Sequence, residues 1–152
     1  MGNSKSIGVA YSDQDIDGGT IGATNPSTIV GTTIYATQEI GYSAAAQGTV
    51  TQATDKSTAV TLNKSAGRIT MNNAALAGST AVSFTLNNSL ISTNDVITVC
   101  ISSVTTGSTA GAYTSYVSNM SAGSASITLR NLSATSYSEA IIINFCIIHG
   151  AS

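Results

Sequence analysis

From about residue 57 onward, apolar and polar side chains take turns along the chain. In "AVSFTL" (81–86), Val82, Phe84 and Leu86 alternate with Ser83 and Thr85. Residues two apart lie on one side of an extended strand, so such a run predicts a strand with one buried face. The same pattern groups Val60 with Leu62 in "STAVTL" (57–62) and Ile69 with Met71 in "GRITM" (67–71). It groups Ile97, Val99 and Ile101 in "DVITVCIS" (95–102), and Ile127 with Leu129 in "ASITLRNL" (125–132). "AYTSYVS" (112–118) alternates less regularly. The stretches between, such as "NKSAG", "LAGS", "TTGSTAG" and "MSAGS", are rich in turn formers. Short strands at this spacing predict an all-β fold, an antiparallel β-sandwich of jelly-roll-like form.

The last run breaks the alternation. In "EAIIINFCII" (139–148), Ile141, Ile143, Phe145 and Ile147 fall on one face, with Ile142, Asn144, Cys146 and Ile148 on the other. A strand apolar on both faces is covered on both. The expectation is a central strand near an oligomer axis. Its outer residues Ile142, Cys146 and Ile148 would meet a neighbouring subunit or the N-terminal arm.

Residues 1–49 lack this periodicity and read as an extended arm, with the sandwich domain at 50–152. "GGTIGATNPST" (18–28) gathers Gly, Thr, Asn and the single proline, residues that favour turns and extended backbone. So little bulk cannot form its own core. Such a segment is either disordered or lies on something else; in the second case it is an anchor laid on a host surface, with Ile21, Ile29, Val30, Ile34 and Tyr35 as its apolar contacts.

Composition narrows the function. Charged residues are 8% of the 152 and the net charge is -2, against about 25% charged in an ordinary soluble domain. Ser and Thr make up roughly 30%, far above the usual share. Without a basic cluster, nucleic-acid binding is not expected, because it rests on neutralising phosphates. No apolar stretch is long enough for a membrane helix, and the N-terminal sequence lacks the apolar core of a secretory signal. A hydroxyl-rich, charge-poor surface suits close subunit contact, since few long side chains must be ordered or desolvated.

Candidate chemistry is sparse. Asp13, Asp15 and Asp17 precede Gly18 in "DQDIDGG", as in the opening of a calcium loop. The bidentate Glu such a loop needs at its twelfth position is Thr24 here. A solvated turn is therefore the expectation, bound calcium the alternative, and no metal or cofactor is assigned. His149, the one histidine, sits near the C-terminus, a poor place for a preorganised base. Asp95 and Glu139 read as solvated strand ends without partners. Arg68 and Arg130 read as outward, solvated side chains, with ion pairing across an interface as the alternative. Cys100 and Cys146 read as buried free thiols, with a mutual disulfide as the alternative. No reaction centre emerges, which favours a binding or structural role over an enzyme.

Taken together, "GTVTQATDKSTAVTLNKSAGRITMNNAALAGSTAVSFTLNNSLISTNDVITVCI" (48–101) and "SATSYSEAIIINFCIIHGA" (133–151) resemble a module of tailed-bacteriophage virion proteins. That module occurs in tail fibres and in short head-decoration or capsid-fibre proteins. The upstream "IDGGTIGATNPST" resembles the linkers that precede it. The resemblance implies an assembly role without enzymatic activity, a homotrimer, and a place on the capsid exterior of the virion. It implies the major capsid protein and further copies of the chain as partners, with no nucleic acid and no membrane. Almost no shaft precedes the module here, which favours a capsid decoration (cement) protein over a fibre. The alternative is the receptor-binding tip of a tail or head fibre that recognises host glycan. Tyr113, Tyr116 and Tyr137 would be its platforms, against the plainer reading of these tyrosines as core or interface residues.

Overall fold

The computed structural model describes residues 33–104 and 109–150. Residues 40–152 form one compact unit, to which the description below refers. The unit therefore starts ahead of the boundary expected at 50. A 3-10 turn, Ala44–Ala46, leads straight into the first strand, β1 (Gln47–Thr51), and the expected boundary would cut that strand in two.

Seven more strands follow: β2 (Val60–Thr61), β3 (Ala66–Thr70), β4 (Ala81–Asn87), β5 (Val96–Val104), β6 (Tyr113–Ser121), β7 (Ser124–Asn131) and β8 (Ile141–Ile148). They form two four-stranded sheets, ordered β1-β3-β8-β5 and β2-β4-β7-β6. The all-β expectation holds. The expectation of purely antiparallel sheets does not: β1 pairs β3 in parallel, and β2 pairs β4 in parallel. The chain alternates between the sheets through its first four strands. Each return therefore lands beside an earlier strand running the same way. Parallel neighbours need a long crossover, and here each crossover contains a strand of the other sheet. Alternation along a sequence reports which face a residue occupies, and carries nothing about strand direction.

The inward faces meet in one core. Ile69, Ile141, Ile143, Phe145 and Ile147 of the first sheet pack in the same cluster as Phe84, Leu86, Ile127 and Leu129 of the second. All the runs named above place their grouped residues inward, in the core or packed against it. Gly67 makes room for part of it: a Cβ there would lie 2.7 Å from the Phe145 ring and 2.6 Å from Leu62.

Two irregularities explain where the alternation weakened. The β6–β7 register shifts between Val117 and Asn119, and the β5–β8 register between Ile101 and Ser103. A bulge inserts one residue and reverses the parity beyond it. "STAVTL" yields only the two-residue β2, because its first part is spent on a turn. The Asp55 carboxylate accepts from the Ser57 amide (2.8 Å), the Ser57 hydroxyl (2.7 Å) and the Thr58 hydroxyl (3.1 Å). The tight β6–β7 hairpin closes through Gly123 at φ +80°, a left-handed conformation that glycine adopts without strain.

Candidate assembly surface

The last strand is central, flanked by β3 and β5. Its register fixes the outward face of the first sheet. Thr70 and Ser103 flank Ile142, Arg68 and Cys100 flank Asn144, and Ala66 and Thr98 flank Cys146; Val96 lies beside Ile148. β1 adds Gln47, Thr49 and Thr51, which pair with Ala66, Arg68 and Thr70.

The three expected interface residues differ in what covers them. Ile142 is only 5% exposed in the single chain. It is buried without a neighbouring subunit, so the expectation that places it in the subunit interface is corrected. Cys146 is half-buried. Close by, the Tyr42 hydroxyl donates to the Ile147 carbonyl, and burial pushes that hydroxyl's pKa up. Ile148 is 59% exposed, as is its cross-strand neighbour Val96. This apolar pair sits on the outer face at the β5 edge, and β5 carries no proline and no charged residue to blunt that edge.

Both cysteines are free, and Cys100 is exposed rather than buried. It lies beyond the alternating core set, on the outward parity of β5. Cys146 faces Thr98 and Cys100 faces Asn144, so the two thiols are diagonal neighbours. Diagonal Cα atoms sit about 7–8 Å apart, beyond ordinary disulfide reach. Titrating the native protein with a thiol reagent should therefore modify Cys100 rapidly and Cys146 more slowly. Equal, slow labelling of both would contradict this arrangement.

The opposite outer face, on β4, β7 and β6, is a carpet of hydroxyls. Ser83 and Thr128 share a hydrogen bond of 2.7 Å, and Thr128 donates to Ser118 at 2.9 Å. Of the three tyrosines considered as platforms, only Tyr116 is exposed, at 47%. Tyr113 is buried, with Tyr137 edge-on at 6.2 Å. Arg68 and Arg130 are both exposed, without a hydrogen bond or ion pair to any described residue.

Three buried polar side chains, Lys56, Glu139 and Asp95, are taken up in hydrogen bonds within the fold. Lys56 is buried, and its ammonium donates to the carbonyls of Asn72 and Glu139, both at 2.5 Å. Burial lowers its pKa, and the Glu139 charge partly opposes this. The Glu139 carboxylate is buried too, accepting from the hydroxyls of Thr109 and of Tyr113 (3.0 Å). Burial, and then that hydrogen bond, push the Tyr113 hydroxyl up. The reading of Glu139 as a solvated strand end is thus corrected: the helper groups come from segments far away in sequence.

Asp95 is corrected likewise. It is buried and accepts from the Ser92 amide (2.8 Å), the Ser92 hydroxyl (2.9 Å), the Gly150 amide (3.1 Å) and His149 Nδ1 (3.1 Å). His149 is therefore fastened to the start of β5. These donors, the Ser92 amide foremost, hold the carboxyl down at about 2, against about 3.9 for a free Asp. A depressed carboxyl stabilises the fold above its unfolded pKa and loses that contribution as pH falls through the folded value. Stability should fall between about pH 4 and 2, and Asp95→Asn should flatten part of that fall in melting curves taken across the range. Asp55, also lowered by its bonds to Ser57 and Thr58, would keep a residual slope. A fall of unchanged size in the Asp95 variant would count against the assignment.

Ile34 and Tyr35 are exposed, Tyr35 at 92%. Ile21, Ile29 and Val30, and the Asp13, Asp15 and Asp17 stretch, lie outside the described residues. Among the described residues, no group of three His, Cys, Asp or Glu side chains is placed to hold a metal ion, and no helix is long and apolar enough to cross a membrane. Sequence reading missed Lys56, Asn88 and Asn131, all buried; each lies in or beside a turn-rich stretch, where a polar residue signals nothing about burial. Compared with protein-family models, with curated proteins and with solved structures, the chain matches none.

Proposed function

We propose that this chain is a non-enzymatic assembly protein: a bacteriophage capsid decoration (cement) protein on the virion exterior, working as a homotrimer. In this reading the two sheets make a jelly-roll-like sandwich, and the arm, with Ile21, Ile29, Val30, Ile34 and Tyr35, anchors it to the major capsid protein. Cys146 and Ile148 contribute to the subunit contact.

The observation that carries the reading is the exterior of residues 40–152. Asp95, Glu139 and Lys56 are buried, so Asp55, Lys64, Arg68 and Arg130 are left as its outward charges. The Val96–Ile148 pair lies open on the outer face of the first sheet. Such a skin costs little to desolvate against a polar, uncharged neighbour, and several weakly held copies attach firmly through effective concentration. The resemblance to virion modules supplies the capsid as that neighbour.

Copy number tests it. Quantitative mass spectrometry of purified particles should find hundreds of copies per virion; a few dozen or fewer would reject decoration. Tyr116, exposed among hydroxyls on the second sheet, favours one other reading, a fibre tip that binds host glycan. Glycan-array binding abolished by Tyr116→Ala, with low copy number, would establish that instead.

A further inference from the structure

We infer that the outer face of the first sheet receives the acidic segment Asp13–Asp17 from a second copy of this chain. The inference rests on the homo-oligomeric reading above and names one contact that builds the oligomer.

The receiving surface is a groove of about 480 Å³ across β1, β3 and β8, lined by Gln47, Thr49, Arg68 and Asn144 and floored by Gly48 and Gly67. Arg68 is the one charged residue in that lining. Its guanidinium has no hydrogen bond or ion pair to any described residue. A planar fork of donors, flanked by amides and a hydroxyl, matches a carboxylate.

Charge is divided unevenly along the chain. Within residues 40–152, Asp95 and Glu139 are buried in their own hydrogen bonds, and Asp55 is held by Ser57 and Thr58. Asp95 and Glu139 are thus closed to Arg68, while Asp55 is a single exposed carboxylate set in its own turn through one oxygen. The remaining carboxylates, Asp13, Asp15, Asp17 and Glu39, all precede residue 40, where they outnumber Lys5. Laid extended, D-x-D-x-D places all three aspartates on one side, about 7 Å apart. One carboxylate on Arg68 then leaves the others beside the neighbouring amides.

Reach is ample. The chain between Asp17 and residue 40 spans up to roughly 75 Å when extended, enough to pass from one small domain to the next. Exchange between identical copies fills every groove when the ring closes, and each arm then adds to the hold of the others.

Two measurements on the full-length chain decide it. In a Cys100→Ser, Cys146→Ser background, Asp15→Cys combined with Thr49→Cys should oxidise to covalent multimers on a non-reducing gel. A closed monomer, or no disulfide at all, would overturn the exchange. Arg68→Glu should weaken association at least tenfold by analytical ultracentrifugation at low salt. Adding Asp13→Lys, Asp15→Lys and Asp17→Lys to that variant should restore it. If the oligomer's mass and affinity ignore Arg68→Glu, this contact is wrong while the homo-oligomeric reading survives. If the wild-type chain sediments as a monomer, both fall.

Discussion

Lys56→Ala should lower the unfolding free energy by about 3 kcal/mol. Lys56 is 3% exposed, and its ammonium ties the carbonyl of Asn72, just past β3, to that of Glu139, just before β8. Removing it leaves two carbonyls without their donor and a void where the stem lay. Gln52 compounds the loss. Its side-chain amide donates to the Lys56 and Thr58 carbonyls and accepts from the Asn72 amide, so the loop would lose its register on the sheet. Lys56→Met keeps the stem and removes only the donors, and should cost less than the alanine. Chemical denaturation of the three proteins would order them wild type, methionine, alanine. Equal stabilities of wild type and alanine would show that the ammonium contributes nothing net to the fold.

The second large effect is expected at Asn131, at the end of β7 and fully buried. Its side-chain amide donates to the carbonyls of Leu76 (3.1 Å), Ala77 (3.3 Å) and Thr135 (2.8 Å). Its carbonyl oxygen accepts from the Ser133 amide and hydroxyl. One side chain thus joins two loops far apart in sequence, which the Leu76–Tyr137 backbone pair and the Ser79 amide on the Ser133 carbonyl also link. They lie so close that a Cβ on Gly78 would fall 2.2 Å from the Ala134 carbonyl oxygen. Asn131→Ala orphans several buried groups at once, each costing about 1–3 kcal/mol, and a loss of about 3 kcal/mol is expected after relaxation. Asn131→Asp keeps the acceptor but replaces the amide donor with a buried charge, so it should be at least as harmful. Melting temperatures of both variants would check this. A stable aspartate variant would mean that the donor bonds matter little.

Most of the fold's first layer could be read before any coordinates. Phe84, Leu86, Ile127 and Leu129 are inward because the strand period is two and their polar neighbours had to face out. β8 is central, flanked edge to edge by β3 and β5; these neighbours pair its backbone and leave the cover of its outer face a separate matter. The bulges at Ile101/Ser103 and Val117/Asn119 left only a blurred trace, since one inserted residue reverses parity and makes the run look irregular. β1 escaped notice, because "QGTVT" has a single large apolar side chain, and Gly48 takes an inward position for Leu62 to cover.

The polar groups show where reading from sequence ends. Asp95 and Glu139 looked like ordinary strand ends, yet one is bonded by His149 and Gly150 and the other by Thr109 and Tyr113. Partners so distant along the chain leave no local pattern. The outer face is half legible in the same sense. That Ile142, Cys146 and Ile148 share a face follows from spacing; that Ile142 is covered while Ile148 is open is decided by the tertiary structure.

The sequence by itself determined which residues face the core, where most of the strands run, and how little charge the surface carries, because all three follow from local period and composition. Only the tertiary structure decided that the sheets are mixed, that Cys100 is open and Lys56 closed, and that Arg68 stands alone in a groove. Those depend on which strand lies beside which, and the crossovers that set this carry no signal of direction in their side chains.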